Sequence, residues 1–144
     1  ETRAEMMNTM SAFLIAIAAV SLIVGAVGIA NTMFTSVLEK TKEIGIMKSI
    51  GARNKDILTI FLLNAALIAL VGGLIGVIFG SFLSSLMPLL LTGMPGSRGG
   101  LLTIVSLNSV IMALSVSVGI GILAGIVPAY QASKLKPVDA LRYE

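Results

Sequence analysis

The sequence predicts an all-α integral membrane bundle with three transmembrane helices, an amphipathic helix between the first two, and a short polar C-terminal tail. Three observations predict it. The 144-residue chain is 56% hydrophobic and only 12% charged, and its mean hydropathy of +1.02 lies far above that of water-soluble domains. No Asp, Glu, Lys or Arg falls between Met6 and Leu38, between Ile57 and Ser97, or between Gly99 and Ser133, and each gap exceeds the roughly 20 residues that cross a hydrocarbon core of about 30 Å. Charges crowd instead into one stretch, EKTKEIGIMKSIGARNKDI, from Glu39 to Ile57.

The first span is placed at 12–37, with its apolar centre from Ala12 to Phe34. The second is placed at 57–91. It would measure roughly 52 Å if wholly helical, so its ends must emerge or bend. Pro88 and then TGMPGSRGG mark an external loop at 92–101. The third span is placed at 103–130, its apolar stretch from Val105 to Val127 expected to stop at Pro128, with a polar tail at 131–144.

Basic residues orient the spans. Lys40, Lys42, Lys48, Arg53 and Lys55 lie in the first connector, and Lys134, Lys136 and Arg142 in the tail, whereas the opposite side holds only Arg3 and Arg98. The positive-inside rule makes the connector and tail cytoplasmic and the N-terminus external. An external N-terminus needs a preceding span, and the chain starts with Glu1. Residues 1–11 are therefore expected to end an extracytoplasmic stalk of a longer protein. The protein is expected in the cell (cytoplasmic or inner) membrane as a multi-pass chain.

Small residues mark expected helix packing, because lipid supplies no hydrophobic push between spans and close backbone approach must replace it. Gly72, Gly76, Gly80 and Ser84 form one four-residue stripe, and Ser117, Gly121 and Gly125 another. Either stripe could serve packing within the chain, and that of Gly72 could also serve a subunit interface. Asn31, Asn64 and Asn108 are expected to hydrogen-bond between helices.

The connector at 39–56 is longer than two antiparallel spans require, and Ile44, Met47 and Ile50 recur in it at helical spacing. A short amphipathic helix is predicted, with Thr41 as N-cap, Gly51 at the C-terminal end, and Glu39–Lys42 and Glu43–Lys40 as surface pairs. Its apolar stripe could rest on lipid headgroups or meet a protein; three acidic residues among the basic ones suit a protein surface.

Several functions are excluded. With neither Cys nor His, disulfides, thiol chemistry and most transition-metal sites are absent. The net charge of +3 comes from residues flanking the spans, so no nucleic-acid partner is expected. GSRGG lacks the Lys and hydroxyl residue of a phosphate-binding loop, and no span carries an acid for catalysis or proton relay. No catalytic, cofactor-binding or metal-binding residue is predicted, and the chain is not expected to be an enzyme by itself.

The runs SLIVGAVGIANTMFTSVLEKTKEIGIMKSIGA, LIALVGGLIGVIFG and PAYQASKLKPVDALRYE together resemble the FtsX-like permease domain of ABC transporters of the macrolide-exporter and lipoprotein-release type. The resemblance covers Met10 to Glu144. It implies a four-span subunit whose last three spans are present here, with a large extracytoplasmic domain between its first two. The charged connector is then the cytoplasmic coupling helix that docks on an ATPase subunit, through Glu39, Lys42, Glu43, Ile44, Gly45, Lys48, Gly51 and Ala52. Pro128, Ala129, Pro137, Ala140, Leu141 and Arg142 carry the tail motif. Family members often have Gln and Glu where Ile60 and Asn64 stand, and two arginines at Tyr130 and Gln131.

The implied partners are an ABC ATPase subunit, which binds ATP and Mg, a second permease subunit in a homo- or heterodimer, and the lipid bilayer. The implied function is mechanical. ATP hydrolysis in a separate cytoplasmic nucleotide-binding subunit moves the connector, and the spans transmit this to the extracytoplasmic domain for export or for lipoprotein, peptide or drug handling. A regulator of the same family that activates cell-wall hydrolases, and a membrane scaffold without an ATPase, are the alternatives.

Overall fold

The computed structural model describes residues 2–91 and 105–135, the side chains of 87–91 excepted. Four helices account for nearly all of it: α1 (Thr2–Glu39), α2 (Thr41–Ser49), α3 (Asn54–Leu91) and α4 (Leu107–Lys134). α1, α3 and α4 are long and apolar enough to cross a membrane. The 38 residues of α1 extend over about 57 Å, well beyond the hydrocarbon, so the stretch at 2–11 continues the first span as one helix. The expected external loop at 92–101 and the tail beyond Leu135 lie outside the described residues.

Hydroxyl residues inside the spans satisfy themselves locally. Thr9, Ser21, Thr32 and Thr35 each donate to the carbonyl four residues earlier, at 2.9 to 3.1 Å. A polar side chain can therefore sit in an apolar helix without an unmet hydrogen bond.

A single residue, Lys40, separates α1 from α2. Its N–H still donates to Ser36 O (3.0 Å), and its carbonyl accepts from Ile44 N–H (2.9 Å), so the turn interrupts the backbone ladder only briefly. Thr41 is not the N-cap: it is the first helical residue, and its Oγ1 donates back to Val37 O at 2.8 Å. The far end of α2 closes in a Schellman motif. Gly51 has φ +107°, its N–H donates to Lys48 O (3.1 Å) and that of Ala52 to Met47 O (3.0 Å). α2 has no side-chain cap hydrogen bond, whereas at the start of α3 Asp56 Oδ2 accepts from Arg53 N–H at 2.9 Å.

α4 does not stop at Pro128. It continues to Lys134, with Pro128 inside it. Proline removes one backbone donor, but Pro128, Ala129, Ala132 and Ser133 are buried against the other helices. That packing holds the last two turns in place.

The core sits at the charged end of the bundle. Met33 and Val37 of α1, Ile44 of α2, Ile57, Phe61 and Ala65 of α3, and Ala129 and Ala132 of α4 form one buried cluster. Towards the other end only α3 and α4 remain in close contact. There Gly121 lies against Ala69, Gly125 against Ala65 and Gly73 against Ser117. Ser117 Oγ also donates to Ala69 O across the pair at 2.8 Å.

The stripe of Ser117, Gly121 and Gly125 thus meets α3 as expected, but its partner is Ala65, Ala69 and Gly73. Gly72, Gly76 and Gly80 do not touch α4; nothing lies within 4 Å of where a Cβ would stand on them. Ser84 is half-buried beside Val105 and Ser109. Among the described residues, Asn31, Asn64 and Asn108 make no interhelical hydrogen bond.

Candidate functional site

α2 and the parts it rests on form the candidate site. Helical geometry divides its nine residues into two faces. Ile44 and Gly45 are buried, and Thr41, Met47 and Lys48 are half-buried, all on the side facing the bundle. Lys42, Ile46, Ser49 and Ile50 are exposed on the other side. The expected apolar stripe is therefore split. Ile44 and Met47 join the core, whereas Ile50, the C-cap residue, is 82% exposed and Ile46 is 48% exposed. The stripe ends at Met47 because Gly51 turns the chain before Ile50 can fold under.

Lys48 is the second anchor. Its Nζ donates to Ser133 O at 2.6 Å and to Leu135 O at 2.7 Å. These carbonyls belong to the end of α4, where the last four lack helical partners and carry the negative end of the dipole. An ammonium there supplies donors and a matching charge together. Ser133 Oγ donates to Tyr130 O at 2.8 Å, and Lys134 Nζ lies 4.4 Å from the Tyr130 ring centre. The same end of α4 is thereby tightened from its outer side.

Of the residues that the resemblance assigns to docking, Glu39, Lys42, Glu43 and Gly51 are exposed; Ile44 and Gly45 are buried, and Lys48 and Ala52 half-buried, in contacts within the chain. Glu43 stands at the edge of the exposed face, beside a cleft against α3. The pairs Glu39–Lys42 and Glu43–Lys40 do not form, which leaves these charges available to other molecules. Pro128 and Ala129 of the tail motif are buried in the core; Pro137, Ala140, Leu141 and Arg142 lie outside the described residues. Ile46 was legible as a site residue from its spacing to Lys42, Ser49 and Ile50.

Two clefts flank this arrangement. One, of about 840 Å³, opens between α1 and the α3–α4 pair and is lined by small and apolar residues such as Ala18, Ser21, Gly25, Gly72 and Ser117. The other, of about 490 Å³, lies between α2 and the stretch of α3 from Ile60 to Leu67.

Comparison with known proteins places these features in context. Residues 15–137 match the family model of the FtsX-like permease C-terminal domain. A macrolide export ATP-binding/permease protein MacB of Bdellovibrio bacteriovorus is 47% identical over 137 residues, covering 95% of this chain and 20% of that protein. The MacB of Syntrophobacter fumaroxidans is 42% identical across 100% of the chain and 19% of its own length. An uncharacterized ABC transporter permease of Methanocaldococcus jannaschii is 36% identical, again over 100% of the chain and 36% of its own length. The chain thus spans about a fifth of the MacB relatives it matches.

Proposed function

The chain belongs to the FtsX-like permease family, and from that premise we propose that it is the part of an ABC transporter permease that receives motion from an ATP-binding unit and passes it through the membrane. The α2 end faces the cytoplasm in this reading, because most Lys and Arg residues flank that end. The outward face of α2, with Lys42, Ile46, Ser49 and Ile50, docks on the ATP-binding unit, which holds ATP and Mg. That unit is a separate subunit or a fused domain. A second permease subunit, identical or not, completes the membrane part, and the work is done by an extracytoplasmic domain.

One observation carries this reading. α2 is fastened underneath by Ile44 and Lys48 while two isoleucines stand exposed among polar residues on its outer side. Exposed apolar anchors within a polar rim are what a protein interface uses. The fastening explains transmission, because a push on α2 reaches the end of α4 through Lys48 and reaches α1 and α3 through the shared core.

The test is ATPase activity of the full-length complex in liposomes. Ile46→Asp, Lys42→Glu and Gly51→Leu should each lower permease-stimulated ATP hydrolysis while the protein still inserts. Stimulation equal to the wild type in all three would overturn the proposal.

A further inference from the structure

The cleft between α2 and α3 has an amphipathic wall that neither the docking face nor the α3–α4 seam uses. Ile60, Leu63 and Leu67 of α3 are 50%, 59% and 60% exposed along it. Buried Ile44 and Phe61 form its floor. From Ile60 to Leu67 the wall is about 10 Å long, roughly two-thirds of the hydrocarbon depth of a single leaflet. Its volume of about 490 Å³ lies in the range of small-ligand sites.

The groups at the mouth are of both signs. Lys40 and Glu43 both line the cleft, and among the described residues neither side chain has a hydrogen-bond or ion-pair partner. Asn64, half-buried on the same wall, is also without one. An apolar stripe about two-thirds of a leaflet deep, a cation and a carboxylate lining the same cleft, and a spare amide on its wall match one kind of molecule.

We propose that this cleft binds a zwitterionic aminophospholipid of the phosphatidylethanolamine type. One acyl chain lies along Ile60, Leu63 and Leu67. The Lys40 ammonium meets the phosphate, the Glu43 carboxylate accepts from the primary ammonium, and the Asn64 amide donates to an ester carbonyl. Charge complementarity selects the headgroup. An anionic glycerol headgroup leaves Glu43 facing a phosphate with no cation between them, and a choline headgroup has no N–H to give the carboxylate. The bound lipid would wedge between the docking helix and the span that follows it.

The test uses the full-length protein with its ATP-binding unit, in liposomes carrying photoactivatable phospholipids that differ only in an ethanolamine, choline or glycerol headgroup. After irradiation, adducts on residues 60–67 are mapped by mass spectrometry. The ethanolamine lipid should label this stretch about threefold more than either other lipid, the factor expected of one partly exposed charged contact. Glu43→Gln should remove that preference without lowering labelling by the choline lipid, and Lys40→Gln should lower labelling by all three. Equal labelling by all headgroups, a preference that survives Glu43→Gln, or residues 60–67 cross-linked to another protein segment instead of lipid would each overturn the proposal.

Discussion

The Nζ of Lys48 lies 2.6 Å from the carbonyl oxygen of Ser133, 85 residues further along the chain. With the companion bond to Leu135 O, it joins the short helix that follows the first span to the end of the last. Two helices with a one-residue link on one side and a Schellman turn on the other are thus fixed at a third point.

Replacing Lys48 by Met keeps the apolar stem but removes both donors. The loss should cost about 1.5 kcal/mol, the lower end for hydrogen bonds to a charged group, because the site is half-buried. Thermal unfolding in detergent would measure it. Hydrogen exchange should show the amides near Leu135 opening faster, and Lys48→Arg should recover part of the protection.

Ile44 and Ile50 should separate anchoring from docking. Ile44→Ala leaves a hole under α2 and should lower stability by about 2–5 kcal/mol. Ile50→Ser, at an exposed position, should change stability by no more than about 0.5 kcal/mol. The same substitution should reduce ATPase stimulation in the reconstituted complex. Equal thermal effects of the two changes would mean that α2 is not seated as described.

Gly121 and Gly76 offer a matching pair on the spans. A Cβ on Gly121 would collide with the Cβ of Ala69, whereas one on Gly76 meets nothing. Gly121→Val should cost about 1–3 kcal/mol through overpacking and lower the yield of a disulfide engineered across the α3–α4 seam. Gly76→Ala should leave this monomer fold as stable as before or slightly more so, since alanine is the better helix former.

Gly51 tests conformation rather than space. Nothing lies within 4 Å of where its Cβ would stand, but its φ of +107° is costly for any residue with a side chain. Gly51→Ala should destabilise the turn by about 1–3 kcal/mol and shift the register of Ala52 and Arg53. Nuclear magnetic resonance or exchange at the amides of 51–53 would detect the lost Schellman bonds.

The sequence by itself determined the three spans, the helix at 41–49 and the glycine that ends it. Those features depend on hydropathy over a window and on backbone preferences at single residues, both of which are local. The family was equally legible, because its motifs are contiguous strings. What only the tertiary structure decided is how each helix is rotated about its own axis. α3 carries two small-residue faces, Ala65–Ala69–Gly73 and Gly72–Gly76–Gly80, set about 100° apart because Gly72 and Gly73 are neighbours in a helix of 3.6 residues per turn. Either could have met α4. The core at the charged end, with Ile44, Phe61 and Ala129 packed together and Lys48 bonded to Ser133, selects the first. Periodicity along one chain states which residues share a face, but the partner that the face meets is a property of the folded bundle.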